Sequence, residues 1–129
     1  MKKAIAVTAI LCLTFLLAAC AAKLPEGMTE ESVTNAAQET VAQLTDKKYD
    51  DLITTMTDDM KSALTAEKLG EVWDPVEKKA GAFKSIKKTT IGSKDGYAVA
   101  VVNAEYEKAT ITFTLSYTTD MKLGGLFFK

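Results

Sequence analysis

The sequence predicts an α+β domain in which helices precede an antiparallel sheet, and three observations carry that prediction. Apolar residues recur at helical spacing from Val33 to Val76. After Gly81 the period changes to alternation. Turn signals at Ser93-Lys94-Asp95-Gly96, Glu107-Lys108 and Thr119-Asp120-Met121-Lys122 then divide the rest into four strands.

Thr29 or Ser32 caps the first helix, with Glu30 and Glu31 favoured at its positive end. Val33, Ala36, Ala37, Thr40, Val41 and Leu44 form its apolar stripe, at i, i+3, i+4 and i+7. The stripe is narrow and alanine-rich, which lets the helix lie close to its neighbours. Asp46-Lys47-Lys48 ends it. A second helix puts Tyr49, Leu52, Ile53 and Met56 on one face. Thr57-Asp58-Asp59 interrupts that pattern, and Met60 and Leu64 continue it. Thr65-Ala66-Glu67 caps a third helix, expected to bury Leu69, Val72, Trp73 and Val76. Pro75 removes a backbone donor inside it and is expected to kink or split it, and Gly81 supplies the stop.

The first strand is expected over 82–91, with a bulge at Ser85-Ile86. The second, Tyr97–Tyr106, is apolar on both faces for most of its length. The third, over 110–118, alternates cleanly. Ile111, Phe113, Leu115 and Tyr117 point one way; Thr110, Thr112, Thr114, Ser116 and Thr118 point the other. A sheet half covered by helices and half wet requires that division. A fourth strand fills 123–129.

Register depends on the loop between the second and third strands. A two-residue loop at Glu107-Lys108 sets Ala98, Ala100, Val102 and Ala104 across from Ile111, Phe113, Leu115 and Tyr117, small against large. Tyr97, Val99 and Val101 then stand outside beside the threonines, as an apolar patch fit for a partner such as a second copy of the chain. One residue more or less in the loop reverses the faces.

The N-terminus carries a different message. Lys2 and Lys3 precede an apolar run of about 14 residues from Ala4, and Leu17-Ala18-Ala19-Cys20 follows. A basic start, an apolar core and small residues before a cut form a secretory signal over residues 1–19. The run is too short to span a bilayer comfortably. A cysteine directly after the small residues resembles the lipobox of bacterial lipoproteins, in which that thiol is acylated and becomes the mature N-terminus. The alternative is an ordinary signal with a chance cysteine. On the lipobox reading Cys20 binds membrane lipid, residues 20–29 are a lipidated tether broken by Pro25 and Gly27, or else a loop packed on the domain, and residues 30–129 are the domain. The protein is then expected on the extracytoplasmic side of the cell membrane, held by its acyl chains.

Composition narrows what such a domain can do. Loss of residues 1–19 leaves 110 of the 129 residues, an ordinary single domain. Cys12 departs with the signal, so an acylated Cys20 leaves no thiol for a disulfide, and stability must come from packing. Fourteen of the 16 basic residues remain against 17 acidic ones, about −3 net, and every cation is a lysine. No arginine-rich basic face exists for nucleic acid, and no guanidinium fork for phosphate. Histidine is absent, which removes the usual general base, the usual zinc ligand and every histidine-activated nucleophile. No cofactor is implied.

The order of these elements has a known counterpart. The segment KKYDDLITTMTDDMKSALTAEKLGEVW, the Gly81-Ala82-Phe83 strand entry, the hairpin-linked strands and a closing KLGGLFF resemble the lipoprotein family called domain of unknown function 3887. That family is similar to the nuclear transport factor 2-like, or cystatin-like, superfamily. The likeness covers about residues 30–128 and implies a curved antiparallel sheet wrapped around helices, leaving a conical pocket. It supplies no catalytic residues to transfer.

Several constellations fit a site, each beside a plainer reading. Trp73, Phe83, Phe113 and Tyr117, with Phe127 and Phe128, suit an apolar ligand pocket; the same rings also suit the core of a small domain. Enzymes of the implied superfamily place an Asp in the cone, often with His or Tyr. Glu105 and Asn103, with Tyr49, Tyr106 and Tyr117 as hydroxyl donors, are this chain's candidates for such isomerase or dehydratase chemistry. The plainer view leaves Glu105 at the wet end of a hairpin. Asp50-Asp51 and Asp58-Asp59 lack the spaced oxygen ligands that calcium needs, so they read as solvated helix charge. Lys84, Lys87, Lys88 and Lys94 suit either an anionic envelope polymer or lipid, or a plain outer strand. Taken together, the residues favour a membrane-anchored, non-catalytic binding or interaction domain, with a small enzyme as the alternative.

Overall fold

The computed structural model describes residues 23–129; Cys20 and the signal segment lie outside the described residues. Among these residues the order is α1 (Glu30–Thr45), α2 (Tyr49–Thr54), α3 (Asp58–Ala63), α4 (Ala66–Ala80), β1 (Phe83–Lys94), β2 (Tyr97–Tyr106), β3 (Thr110–Tyr117) and β4 (Leu123–Phe128). The strands form one open antiparallel sheet in the order β1-β2-β3-β4, with helices packed on it, so the fold is α+β. No helix of the described residues is long and apolar enough to cross a membrane.

Both candidate caps of α1 are used. Thr29 Oγ1 accepts from Ser32 N at 3.0 Å, and Ser32 Oγ accepts from Thr29 N at 3.1 Å. This reciprocal box satisfies two otherwise orphaned donors. The buried face of α1 is Val33, Ala37, Thr40, Val41 and Leu44, as the stripe predicts.

The interrupted second helix is two short helices. Thr57 caps α3 through Met60 N at 3.3 Å. The break between them docks on the sheet: Leu123 N donates to Thr55 O, and Thr57 N donates to Leu123 O. A sheet edge, rather than a helix, thus satisfies the backbone groups that the interruption frees.

Two expectations for α4 need correction. The helix continues through Pro75 without splitting. Pro75 and Glu71 are both exposed, so the carbonyl that loses its donor lies on the wet face. Val72 is 52% exposed, not buried. The ring of Tyr49 lies over Gly70, where a methyl group would come within 3.1 Å of it. The buried face of α4 is thus Leu69, Gly70, Trp73 and Ala80, and Val72 falls at its margin.

β1 runs to Lys94, past the expected end at 91, because only Asp95 and Gly96 are needed to turn the chain. Their φ values of 53° and 85° are the paired left-handed conformations of a tight hairpin. Register shifts between Phe83 and Ser85 and between Ile86 and Lys88 place irregularity where the sequence expects a bulge. Across β2 and β3, Ala98 opposes Tyr117, Ala100 opposes Leu115, Val102 opposes Phe113 and Ala104 opposes Ile111. All eight are buried. The register is therefore the one that a two-residue loop requires, closed by Tyr106 N donating to Ala109 O at 2.8 Å.

The core centres on Trp73, which has no solvent exposure. Its ring lies 5.7 Å from Phe113, 6.0 Å from Tyr106 and 5.3 Å from Phe128. These tilted and edge-on contacts tie α4 to β2, β3 and β4 at once.

Candidate functional site

A cleft opens where the last turns of α1 and α4 meet the start of β1. Two adjoining cavities of about 450 and 630 Å³ share Thr45, Asp46 and Phe83. Val41 and Ala42 of α1 and Ile86 of β1 make the first apolar. Glu77, Lys78 and Tyr106 give the second a more polar wall.

Gly81 builds the corner between α4 and β1. Its φ of 82° and ψ of −159° fall in a region that is essentially glycine's alone. The corner is then locked to the β2–β3 turn. Lys108 N donates to Ala80 O at 2.7 Å, Glu107 N donates to Ala82 O at 2.9 Å, and Ala82 N donates to Glu107 Oε1 at 2.7 Å. Phe83 follows at once and is presented to the cleft, 40% exposed. Its ring stands edge-on to Tyr106, 5.5 Å between centroids.

The cleft's polar groups are largely satisfied from within. The hydroxyls of Tyr106 and Thr45 lie 2.7 Å apart, and burial pushes the Tyr106 phenol above its ordinary value. Behind the cleft, Lys47 pairs with Glu77 at 3.3 Å and Asp74 at 3.7 Å. The hydrogen bond and charge of Glu77, aided by Asp74, raise the Lys47 ammonium. Tyr49 OH donates to Asp74 Oδ1 at 2.6 Å; burial, and then that bond, raise its phenol as well.

The four aromatic candidates are divided by the structure. Trp73, Phe113 and Tyr117 lie in the core, each at most 2% exposed, while Phe83 stands at the cleft. Tyr117 OH bonds to Thr40. Phe128 packs against the core, and Phe127 points away from it, 71% exposed. Val41, Ala42, Thr45 and Ile86, which complete the cleft, were not singled out as site residues from the sequence. Val41 also reads as part of the α1 stripe and Ile86 as part of a strand, Ala42 and Thr45 stand off the stripe, and nothing in their local pattern marks a cavity.

The candidates for acid–base chemistry do not gather. Glu105 and Asn103 alternate with the buried Ala104 and so sit on the outer sheet face. Glu105 pairs with Lys87 at 2.6 Å, and that hydrogen bond holds its carboxyl below the ordinary range. Asn103 Oδ1 accepts from Thr112 Oγ1 at 3.0 Å. Tyr49 belongs to the Asp74 cluster instead.

Asp50, Asp51, Asp58 and Asp59 are exposed in the opening turns of α2 and α3. No metal-holding group of three or more His, Cys, Asp or Glu occurs among the described residues. Lys84, Lys87, Lys88 and Lys94 are strung along β1 rather than clustered. On the outer face, Tyr97 is 42% exposed and Val99 and Val101 are half-buried. Beside them a cavity of about 450 Å³ is lined by Thr112, Thr114, Phe127, Phe128 and Lys129.

Known proteins bear on this arrangement. Among curated proteins nothing matches. The NMR structure of a protein from Ruminococcus gnavus ATCC 29149 is similar, with 30% sequence identity and a TM-score of 0.64. The likeness covers 81% of this chain and 95% of that one. A family model described as protein of unknown function (DUF3887) matches residues 37–126, which include both short helices, the Gly81 corner and all but the end of β4, and the chain belongs to that family.

Proposed function

We propose that this protein is an extracytoplasmic lipoprotein, anchored through an acylated Cys20, whose domain binds a small apolar ligand in the Phe83 cleft without catalysing a reaction. The observation that carries the reading is Phe83 itself. A large apolar ring, 40% exposed, faces an open cavity walled by Val41, Ala42 and Ile86. Ligand sites take this form, apolar with a few placed polar groups, here Thr45 and Asp46. Helices laid over a four-stranded meander also support the wider placement among nuclear transport factor 2-like domains.

The enzymatic alternative has less support. A carboxyl base of that kind works from a desolvated site that raises it. Glu105 is lowered by Lys87 and lies on the face away from Tyr106 and Tyr117.

The test is native mass spectrometry of protein extracted from its own membranes, with Phe83→Ser alongside. A small apolar adduct on the wild type, lost in the variant, is expected. An empty wild type, or an adduct that persists in Phe83→Ser, removes the cleft assignment. Anchoring is tested separately by Cys20→Ala, which should release the domain or stall its processing. Unchanged membrane attachment overturns the lipoprotein reading.

A further inference from the structure

The segment Lys23–Met28, ahead of α1, is seated on the domain. Ser93 Oγ donates to Lys23 O at 2.7 Å. Leu24 packs against the core, Met28 is 8% exposed, and Met28 N closes a turn on Pro25 O at 3.1 Å. Cys20 precedes Lys23 by three residues. A fully extended chain spans at most about 3.6 Å per residue, so the chain joining the two can reach no more than about 11 Å.

That short reach orients the molecule. Ser93 belongs to a row of partners that runs Ser93, Ala98, Tyr117, Leu123 across the sheet. The β1–β2 turn and the loop over 118–122 project beyond this row, at the same end. Tyr97 joins them, since its ring lies where a methyl on Gly124 would be 3.3 Å away. The cleft is at the other end, where Phe83 pairs with Tyr106. β2 runs from Tyr97 to Tyr106, a length of about 30 Å at the usual strand rise.

We propose that the segment Lys23–Met28 seats the β1–β2 and β3–β4 turns against the lipid headgroups of the protein's own membrane, and so aims the Phe83 cleft away from the bilayer. This orientation rests on acylation of Cys20. Charge does not supply it: Lys23, Lys94 and Lys122 at this end are offset by Glu26, Asp95 and Asp120, and the exposed Asp58 and Asp59, next to the Thr57 that bonds Leu123, make it acidic. Chain length does, because two or more acyl chains fix Cys20 in the bilayer and the seated segment allows the domain little swing. A ligand for the cleft therefore arrives from the aqueous side rather than from the lipid.

The experiment uses the lipidated protein carrying Lys94→Cys or Lys108→Cys, each labelled with a fluorophore. Both are reconstituted in vesicles of phosphatidylethanolamine and phosphatidylglycerol with a headgroup nitroxide lipid. The label at 94 is expected to lose most of its fluorescence and the label at 108 to keep it. A glycine–serine insert between Cys20 and Lys23 should abolish the difference. Equal quenching, or stronger quenching at 108, in protein that floats with the vesicles overturns the orientation alone. Protein that fails to float overturns the anchor and the orientation together.

Discussion

The phenol of Tyr117 lies 2.7 Å from the hydroxyl of Thr40, a buried bond between β3 and α1 that spans 77 positions of sequence. Thr40 Oγ1 also lies 3.0 Å from Ala36 O and donates its one proton there, so Tyr117 is the donor to Thr40. Thr40→Val leaves a buried phenol without an acceptor and should destabilise the domain by about 1–3 kcal/mol. Tyr117→Phe removes the other partner. Combining the two should cost less than the sum of the single losses, measured by urea unfolding. Additive losses would show that the hydroxyls are not coupled.

Gly81 and Gly96 separate conformational strain from collision. Both have positive φ, 82° and 85°. A methyl group at Gly81 would stand 2.9 Å from Glu107 Cβ, whereas Gly96 has open space. Gly96→Ala should cost about 1 kcal/mol, the backbone contribution alone. Gly81→Ala should cost more, about 1–3 kcal/mol from strain and further from displacing Glu107. Equal losses in denaturant midpoint would contradict the tight corner.

The small-against-large register predicts opposite responses at adjacent positions. Ala100 is buried across from Leu115, while Val99 faces outward across from Ser116. Ala100→Leu should destabilise by about 1–3 kcal/mol through overpacking. Val99→Thr, on a face already lined with threonines, should change stability by no more than about 0.5 kcal/mol. The reverse ranking in thermal unfolding would mean that the faces are exchanged.

Alkaline pH should unfold the domain earlier than the chain's acidic residues would suggest. Burial raises the phenols of Tyr49, Tyr106 and Tyr117, and the pairing with Glu77 raises Lys47. A group raised in the folded state stabilises fully below its ordinary value, for tyrosine about 10, and loses that contribution as pH climbs through its folded value. Melting temperature should therefore hold through neutrality and fall above about pH 10, less steeply in Tyr117→Phe. On the acid side, Glu105 is lowered by Lys87, and Asp120 by the hydroxyl of Thr118. Their contributions are present above the ordinary carboxylate range and fade as pH falls through it. Both carboxylates are solvent-facing, so the acid limb should be shallow and sensitive to salt.

Much of this architecture can be read from local pattern. The caps at Thr29 and Thr65, the Asp95-Gly96 turn and the alternation of β3 each follow from interactions within a few residues. The β2–β3 register follows only if the loop has two residues, and it is the structure that shows that loop, at Glu107-Lys108. Val72 and Pro75 mislead because their fate depends on which face of α4 is wet. That is a matter of contacts between elements, invisible to periodicity.

The candidate site divides along the same line. The sequence by itself determined an α+β domain and the want of histidine and arginine, since composition and short-range spacing suffice for each. Only the tertiary structure decided that Trp73, Phe113 and Tyr117 are core while Phe83 opens on a cleft, and that the segment from Lys23 is seated at the far end. An aromatic ring carries the same apolar signal whether it fills an interior or lines a cavity. What separates the two is the packing of helices that meet the sheet from distant parts of the chain.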